Sequence, residues 1–449
     1  MQLLTLTQAS LEPFQNSIPW DSLPHTFQHA VVATRALGYR YLWIDSLCII
    51  QDSIEDWRDE SAVMGEVYSQ TDCVLAATGS SDGTGGLFRS RDPAFVSPVS
   101  LQAEWGAHIE AYVCFKADLW EKGVANAPLN QRGWVVQERM LSPRTLHFGT
   151  EQVFWECREL EACEVFPDRI PYPFFEFGHR EANAFKRWMT ATKIDDAQEV
   201  RPASYESWSH MVDVYMKSAL TKGEDKLIAL SGMAKKAQLV LHDEYIAGLW
   251  RKSLIDGMLW YVEFGFQADY SYSRRPSTYR SPSWSWAAVD GVINHPTHHI
   301  PDQILYGDFV TVLDVAIEPA GSDRMGQIKS AHLMIEGVVK RIWKPTYIYA
   351  TASHICGEYF ADDREYSESV EDFYALPLRY HRITVEEEEE LWGLVLTPVK
   401  SLADCFERVG LFRLAEGDDI VFVGSQKPVC VVDNFGLSRS EKRRVIQLL

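Results

Sequence analysis

The segment "LPHTFQHAVVATRALGYRYLWIDSLCIIQDSIEDWRDESAVMGEVYSQTDCVLAAT", Leu23–Thr78, decides the fold class. Apolar residues recur at helical spacing over 25–37 and again over 54–69, which predicts two helices. The runs Tyr39–Ile50 and Cys73–Thr78 are almost continuously apolar, as strands covered on both faces are. Helix, strand, helix and strand in succession predict an α/β fold with a parallel sheet.

Three regions follow from the pattern along the chain. Residues 1–175 read as the α/β domain, with two further strands in "FVSPVSLQ" and "HIEAYVCF" and a two-stranded turn in "HFGTEQVFWEC". Residues 176–300 contain several helical patterns. Residues 301–449 hold short apolar runs separated by Gly, Pro and Asp, which predicts a β-rich C-terminal module.

The composition excludes several classes of protein. The chain has 449 residues, 46% hydrophobic and 24% charged, which is typical of globular proteins. Its formal net charge of −20 opposes binding to nucleic acid and to anionic membranes. No run of about 18 apolar residues and no signal-peptide pattern occurs in the sequence. We therefore expect a cytoplasmic protein whose eight cysteines are reduced thiols.

The stretch "LNQRGWVVQERMLSPRTLHFG", Leu129–Gly149, carries the first candidate for chemistry. It predicts a short helix that stops before a proline and carries Arg132, Trp134 and Glu138. Trp134 and Glu138 lie four residues apart, one helical turn along the same face. Glu138 is either a reacting group or a charge that pairs with a nearby arginine and fixes the helix.

Asp45 is the second candidate, because it interrupts the apolar run over 39–50. An ionised carboxylate is costly to bury unless it is hydrogen-bonded or paired. Near the carboxyl end of a strand it would face the crevice where open α/β sheets bind their ligands. It then binds a ligand or orients Arg132; the alternative is that it caps a neighbouring helix.

Other motifs favour no chemistry. The loop Gly79–Gly86 lacks the lysine of a P-loop and the spacing of a dinucleotide fold, so a plain turn is predicted. His295, His298 and His299 have no acidic or cysteine partner at ligand spacing, so no metal site is predicted. The Ser, His and Asp residues show no arrangement typical of a hydrolase triad.

The segments "RALGYRYLWIDSLCIIQDSIEDWRDESAVMGEVYSQTDCVLAATGSSDGTGGLF" and "LNQRGWVVQERMLSPRTLHFGTEQVFWEC" resemble the heterokaryon incompatibility (HET) domain of filamentous fungi. Together they cover most of 20–157. Downstream, "LTKGEDKLIALSGMA", "YIAGLW" and "PSWSWAAVDG" are similar to segments that commonly follow this domain. The family domain usually opens with a strand resembling Y-x-x-L-S-Y-x-W-G, which has no counterpart here, so we expect an N-terminally short domain without that strand.

HET domains are distantly similar to TIR domains, some of which cleave the N-glycosidic bond of NAD with a helix glutamate four residues after a tryptophan. The resemblance implies Glu138 as the catalytic residue, with Asp45, Arg132 and Trp134 binding the substrate. It implies NAD as substrate, no cofactor, no metal, and a role in incompatibility or innate-immunity signalling that leads to programmed cell death. Cleavage passes through an oxocarbenium-like state, which a nearby carboxylate stabilises.

Two other readings stay open at the level of sequence. In one, the chain is a non-enzymatic protein whose HET domain acts by self-association or by binding another signalling protein. In the other, a HET-like fold serves small-molecule metabolism and uses an aromatic-rich cleft as an apolar pocket. Whether the chain is an enzyme is therefore undecided by the sequence.

Overall fold

The computed structural model describes residues 3–105, 108–116, 118–171, 186, 200–262, 273–296, 304–342, 358–383, 388–415, 419–420, 429–430 and 443–449. The chain divides into two compact units. The first unit comprises Met1–Thr192, Ser218–Leu220 and Ile228–Lys236, and the second unit comprises the remainder. The boundaries predicted after residues 175 and 300 lie outside the described residues and stay predictions.

Three of the helices in the first unit follow the predicted pattern closely. The α-helices are α1 Gln8–Asn16, α2 His25–Ala36, α3 Asp45–Cys48, α4 Ile54–Gln70, α5 Gly133–Leu141, α6 Val200–Met216, α7 Ile228–Leu241, α8 Leu254–Gly257 and α9 Arg364–Ser369. Gly38, with φ of +83°, lets the chain turn away after α2. Ser53 caps α4, because its hydroxyl accepts a hydrogen bond from the Asp56 amide. The predictions for α2, α4 and α5 are confirmed.

Among the described residues, the first unit has a four-stranded mixed sheet and one two-stranded sheet, and the second unit has a nine-stranded sheet and three two-stranded sheets. They are β1 Val74–Ala76, β2 Val99–Trp105, β3 His108–Cys114, β4 Arg144–Phe148, β5 Val153–Cys157, β6 Glu161–Cys163, β7 Tyr245–Ile246, β8 Leu249–Trp250, β9 Tyr261–Val262, β10 Ile293–Asn294, β11 Ile304–Asp308, β12 Thr311–Pro319, β13 Ile328–Gly337, β14 Lys340–Ile342, β15 Glu358–Ala361, β16 Phe373–Ile383, β17 Glu388–Pro398, β18 Cys405–Ala415, β19 Asp419–Ile420, β20 Val429–Cys430 and β21 Arg444–Leu448.

The sheet of the first unit has the order β1-β4-β5-β6. Only β1 and β4 run parallel, and the other two pairs are antiparallel. The predicted parallel sheet is thus correct for one pair of strands. The two further strands predicted are present as β2 and β3, which pair with each other, and the predicted two-stranded turn is the hairpin β4–β5.

The strand predicted over Tyr39–Ile50 is wrong. Residues 39–44 have no regular structure, and α3 starts at Asp45. The Asp45 carboxylate accepts a hydrogen bond from the Ser46 amide at 2.7 Å, and the Ile50 amide donates to Asp56 at 2.7 Å. These side-chain acceptors take amides that a strand ladder would otherwise use, so the apolar run folds as a turn and a short helix.

The core of the first unit lies against this mixed sheet. One buried cluster contains Leu119, Trp120, Val124, Phe154, Cys163 and Ile170, and another contains Ala30, Ala33, Leu87 and Phe148. Helices α4 and α7 approach at two glycines, where a Cβ added to Gly65 would lie 2.8 Å from Gly232 Cα. Only glycine fits such a contact without moving one of the helices.

The second unit confirms the predicted β-rich C-terminal module. Its nine-stranded sheet has the order β11-β16-β17-β18-β21-β13-β12, with β14 on β16 and β15 on β18. The fully buried Arg408 donates to both oxygens of Asp362, and its guanidinium lies 3.5 Å from the ring centroid of Trp260. The helices α6 and α7 agree with a helical middle region. Across the described ranges, no helix has the length and apolarity needed to cross a membrane.

Candidate functional site

The first unit contains a cavity of about 600 Å³. Its wall is built from α2, α4, α5, β1, β4, the segments 39–46 and 80–83, and the residues that lead into α5. Asp45, Arg132 and Glu138 all line it. The structure therefore brings three of the four predicted site residues together, in a cavity whose volume is typical of small-molecule sites.

Helix α5 is anchored by its buried face. The Gly133 amide donates to the Ala219 carbonyl at 2.7 Å, and a Cβ at Gly133 would lie 2.6 Å from the Leu220 side chain. Gln137, fully buried, accepts a hydrogen bond from the Gly232 amide at 2.7 Å. These contacts hold the helix in one orientation and leave Glu138 facing the cavity.

Glu138 is a half-buried carboxyl with a strongly shifted pKa. Burial raises the pKa of Glu138 to about 7, and the charge of Asp45 raises it further, while the hydrogen bond from Tyr68 and the charge of Arg132 act in the opposite direction. Glu138 forms no ion pair with an arginine within the described part of the chain. Acid and carboxylate forms of this group are therefore both populated near neutral pH.

Tyr68 is the hydrogen-bond partner of Glu138, and it comes from α4. Burial and the negative charge of Glu138 raise the pKa of Tyr68 well above its ordinary value, so the phenol stays protonated and donates. The Tyr68 ring packs edge-on to Trp43 with centroids 5.7 Å apart. From its place in the sequence, Tyr68 is predicted only to be part of the apolar face of α4.

Asp45 and Ser46 form another part of the wall. Asp45 is exposed at the start of α3 rather than buried in a strand, and it lines the cavity. Ser46 is 5% exposed, and its backbone is tied by the hydrogen bond to Asp45 and by the Leu6 amide, which donates to the Ser46 carbonyl at 2.7 Å. Asp45 and Arg132, both described, form no ion pair with each other.

Comparison with known protein families gives one match. Residues 5–138 match the family model described as Heterokaryon incompatibility protein (HET). This part of the chain is a HET domain. The match contains all four predicted site residues and ends at Glu138 itself. No curated protein and no solved structure matches the chain.

Trp134 is the predicted site residue that lies outside the cavity wall of the HET domain. Its ring packs edge-on to Trp57 of α4, with centroids 6.4 Å apart and an interplanar angle of 85°. Trp134 lies on the same helix face as Glu138, but its longer side chain packs against α4. The geometry therefore gives Trp134 a packing contact between helices and no place in the cavity.

A buried polar cluster lies behind the wall of the HET-domain cavity, on β4 and β5. Arg139 Nε donates to Glu156 Oε2 at 2.7 Å, and His147 Nε2 lies 3.0 Å from the same oxygen. Thr78 Oγ1 lies 3.0 Å from His147 Nδ1. Arg139 and His147 line the cavity, whereas the fully buried Thr78 and Glu156 do not.

The protonation states in this cluster follow from burial and charge. Burial opposes ionisation of Glu156, yet the charges of Arg139 and Lys186 hold the pKa of Glu156 well below its ordinary value. Burial lowers the pKa of His147, which keeps the ring neutral. A neutral ring that donates from Nε2 to Glu156 accepts from Thr78 at Nδ1. Because Thr78 has no access to the cavity, this order of groups supplies no nucleophile.

The glycine-rich loop and the histidines add no second site. Ser80, Ser81, Asp82 and Gly83 edge the cavity, and the Asp82 carboxylate accepts from both the amide and the hydroxyl of Thr84, as in a plain turn. His295 pairs with Asp213 at 2.7 Å in the second unit. His298 and His299 lie outside the described residues, and the described residues contain no group of three or more ligands for a metal.

Proposed function

We propose that the HET domain binds NAD in this cavity and hydrolyses its N-glycosidic bond as part of incompatibility or cell-death signalling. The observation that carries the proposal is Glu138, a carboxyl that faces the cavity, is hydrogen-bonded by Tyr68 and forms no ion pair with any arginine that the structure describes. In the reaction, the C–N bond breaks with its electron pair moving to the nicotinamide nitrogen. Water attacks the anomeric carbon and releases a proton, giving nicotinamide and ADP-ribose.

Glu138 acts on the positive charge that develops on the ribose. An ionised carboxylate beside the anomeric carbon stabilises an oxocarbenium-like state more than it stabilises the substrate. The hydrogen bond from Tyr68 lowers the pKa of Glu138 and so favours this ionised form. Because the pKa of Glu138 is about 7, the ionised fraction, and with it the rate, rises as the pH passes through neutrality.

Other residues of the cavity wall are suited to bind the phosphates and the bases of a dinucleotide. Arg40, Arg132 and Arg139 line the cavity, and arginine is well suited to bind the two phosphates of NAD. Tyr41 and Trp43 line it too, and aromatic rings of this kind stack on nucleobases. Asp45 adds a second carboxylate that acts electrostatically on Glu138.

The test is nicotinamide release from NAD by the full chain, followed chromatographically over a range of protein concentrations. We expect Glu138→Gln to lower the rate by at least about 100-fold, since it removes charge but keeps shape. Glu66→Gln is the matched control, because Glu66 is an exposed carboxylate on α4 that does not line the cavity. Full activity in Glu138→Gln removes Glu138 from the mechanism, and no release at any concentration refutes NAD hydrolysis.

A second candidate function, self-association without chemistry, is favoured by the β2–β3 hairpin. Val99, Leu101 and Val113 are 56%, 51% and 55% exposed on it. Its two strands pair only with each other among the described strands. Apolar strands with open edges favour the addition of a further strand. If this reading is right, Leu101→Lys lowers the molecular weight measured by sedimentation equilibrium, whereas a strict monomer before mutation excludes it.

A further inference from the structure

Two polar atoms in the cavity wall have no hydrogen-bond partner among the described residues. They are Ser46 Oγ and Asn130 Oδ1, and both residues line the cavity. A buried polar atom without a partner costs about 1–3 kcal/mol, so folded proteins seldom retain one. Other described residues also carry such atoms, but Ser46 and Asn130 line a cavity, where a ligand can supply the missing hydrogen bonds.

Both atoms line the same cavity as the proposed reacting group, Glu138. Ser46 follows Asp45 in the chain, and Asn130 lies two residues before Arg132, and these two charged residues line the cavity as well. A ligand that reaches Glu138 in this cavity can therefore also reach the unpaired atoms.

The orientation of each group is set by its other hydrogen bonds. Asn130 Nδ2 donates to the Val124 carbonyl at 2.6 Å, so the amide nitrogen is committed and Oδ1 remains as an acceptor. The backbone amide and carbonyl of Ser46 are bonded to Asp45 and Leu6. The Ser46 hydroxyl, which can donate or accept a hydrogen bond, has no partner among the described residues.

This set of groups selects the chemistry of the ligand. Asn130 Oδ1 and the Asp45 carboxylate accept hydrogen bonds only, which disfavours a phosphate or a carboxylate at this place. Neighbouring hydroxyls of a sugar bring two donors and also accept, which matches two acceptors and one hydroxyl. We infer that Ser46, Asn130 and Asp45 form a subsite for the vicinal hydroxyls of a ribosyl group beside Glu138. The inference rests on the proposed function of the cavity.

The subsite predicts opposite effects of one substitution on folding and on binding. Ser46→Ala removes an unpaired buried hydroxyl, so the melting temperature stays equal or rises. The same change removes a hydrogen bond to the sugar, so ribosyl ligands bind about tenfold more weakly. A hydroxyl with a purely structural role would lower the melting temperature and leave binding unchanged.

The experiment is a calorimetric titration of the full chain with ADP-ribose, a probe that has no nicotinamide bond to cleave. Wild type, Ser46→Ala and Ser81→Ala are compared, because Ser81 also lines the cavity but is exposed. We expect about tenfold weaker binding only for Ser46→Ala. ADP, which lacks the terminal ribose, should bind wild type and Ser46→Ala equally.

The outcomes separate the subsite from the proposed reaction. Any of three results overturns the subsite. Wild type and Ser46→Ala bind ADP-ribose with equal affinity, or Ser46→Ala weakens the binding of ADP as much as that of ADP-ribose. The third is that wild type shows no binding up to millimolar ADP-ribose. Ser46-dependent binding without nicotinamide release from NAD supports the subsite and refutes hydrolysis. Nicotinamide release with unchanged affinity in Ser46→Ala supports hydrolysis and refutes the subsite.

Discussion

The hydroxyl of Tyr68 on α4 hydrogen-bonds the carboxyl of Glu138 on α5, inside a cavity lined by Asp45 and Arg132. The two residues are 70 positions apart in the chain, and packing of the two helices brings them together. This relationship makes Glu138 a carboxyl held by a neutral donor rather than neutralised by an arginine. Its charge is therefore available to a ligand.

Removing the Tyr68 hydroxyl should shift the titration of Glu138. The hydrogen bond from Tyr68 lowers the pKa of Glu138, so Tyr68→Phe raises that pKa above its value of about 7. The midpoint of the pH–rate profile for nicotinamide release then moves to higher pH, and the rate at pH 7 falls. Tyr374→Phe, in the second unit, is the control. A midpoint that stays in place or moves down contradicts the assigned hydrogen bond.

Glu138 should make the fold less stable as the pH rises. Its pKa is raised from 4.5 to about 7, so the folded state binds a proton more tightly than the unfolded chain does. The stability linked to this group is therefore present below pH 4.5 and is lost as the pH rises through about 7. The free energy of unfolding is measured in urea at pH 5 and at pH 8. Between these two pH values, the free energy of unfolding of Glu138→Gln should increase by up to about 3 kcal/mol relative to that of wild type. No relative gain would show that Glu138 titrates normally.

Glu156 should be essential to the fold of the HET-domain unit. Glu156→Gln leaves the guanidinium of Arg139 without its carboxylate partner in a site where Glu156 is 0% exposed. Breaking a buried pair of this kind costs about 3–5 kcal/mol. Glu164→Gln breaks an exposed pair with Arg91, in which the Glu164 side chain is 47% exposed, and should cost less than about 1 kcal/mol. If the two variants lose equal amounts of unfolding free energy, measured in urea, the structural role of the buried cluster is rejected.

Helix propensity alone does not predict how Gly65→Ala changes stability, because Gly65 is in close contact with Gly232. In an exposed helix, glycine to alanine stabilises by about 1 kcal/mol. At Gly65 the added methyl meets Gly232 Cα at 2.8 Å, so Gly65→Ala should lower the melting temperature instead. Gly321→Ala, where nothing lies within 4 Å of the added Cβ, is the control. A higher melting temperature for Gly65→Ala contradicts the close approach of α4 and α7.

The sequence predicts the parts of the fold that local periodicity encodes. Helices α2, α4 and α5 have apolar residues at helical spacing, and each ends close to its predicted stop. The strand predicted over 39–50 is wrong because a continuous apolar segment does not distinguish a strand from a turn followed by a short helix. Asp45 was the local signal of the turn, since its carboxylate takes the next amide along the chain.

The candidate site was predictable only where residue type alone gave a signal. Glu138 and Asp45 stand out as carboxylates among apolar residues, and both line the cavity. Tyr68 and Ser46 gave no such signal, because their roles depend on which helix or turn packs opposite them. Glu156 could have been found, since it lies diagonally from His147 on one face of the predicted β4–β5 hairpin.

The most direct test of the central claim is the rate of nicotinamide release from NAD at pH 8, where Glu138 is mostly ionised. The rate is compared between wild type and Glu138→Gln at a protein concentration that gives the wild type its full rate. We predict release by the wild type and a loss of at least about 100-fold in the variant. Equal rates in the two proteins, or no release by the wild type, would contradict the account.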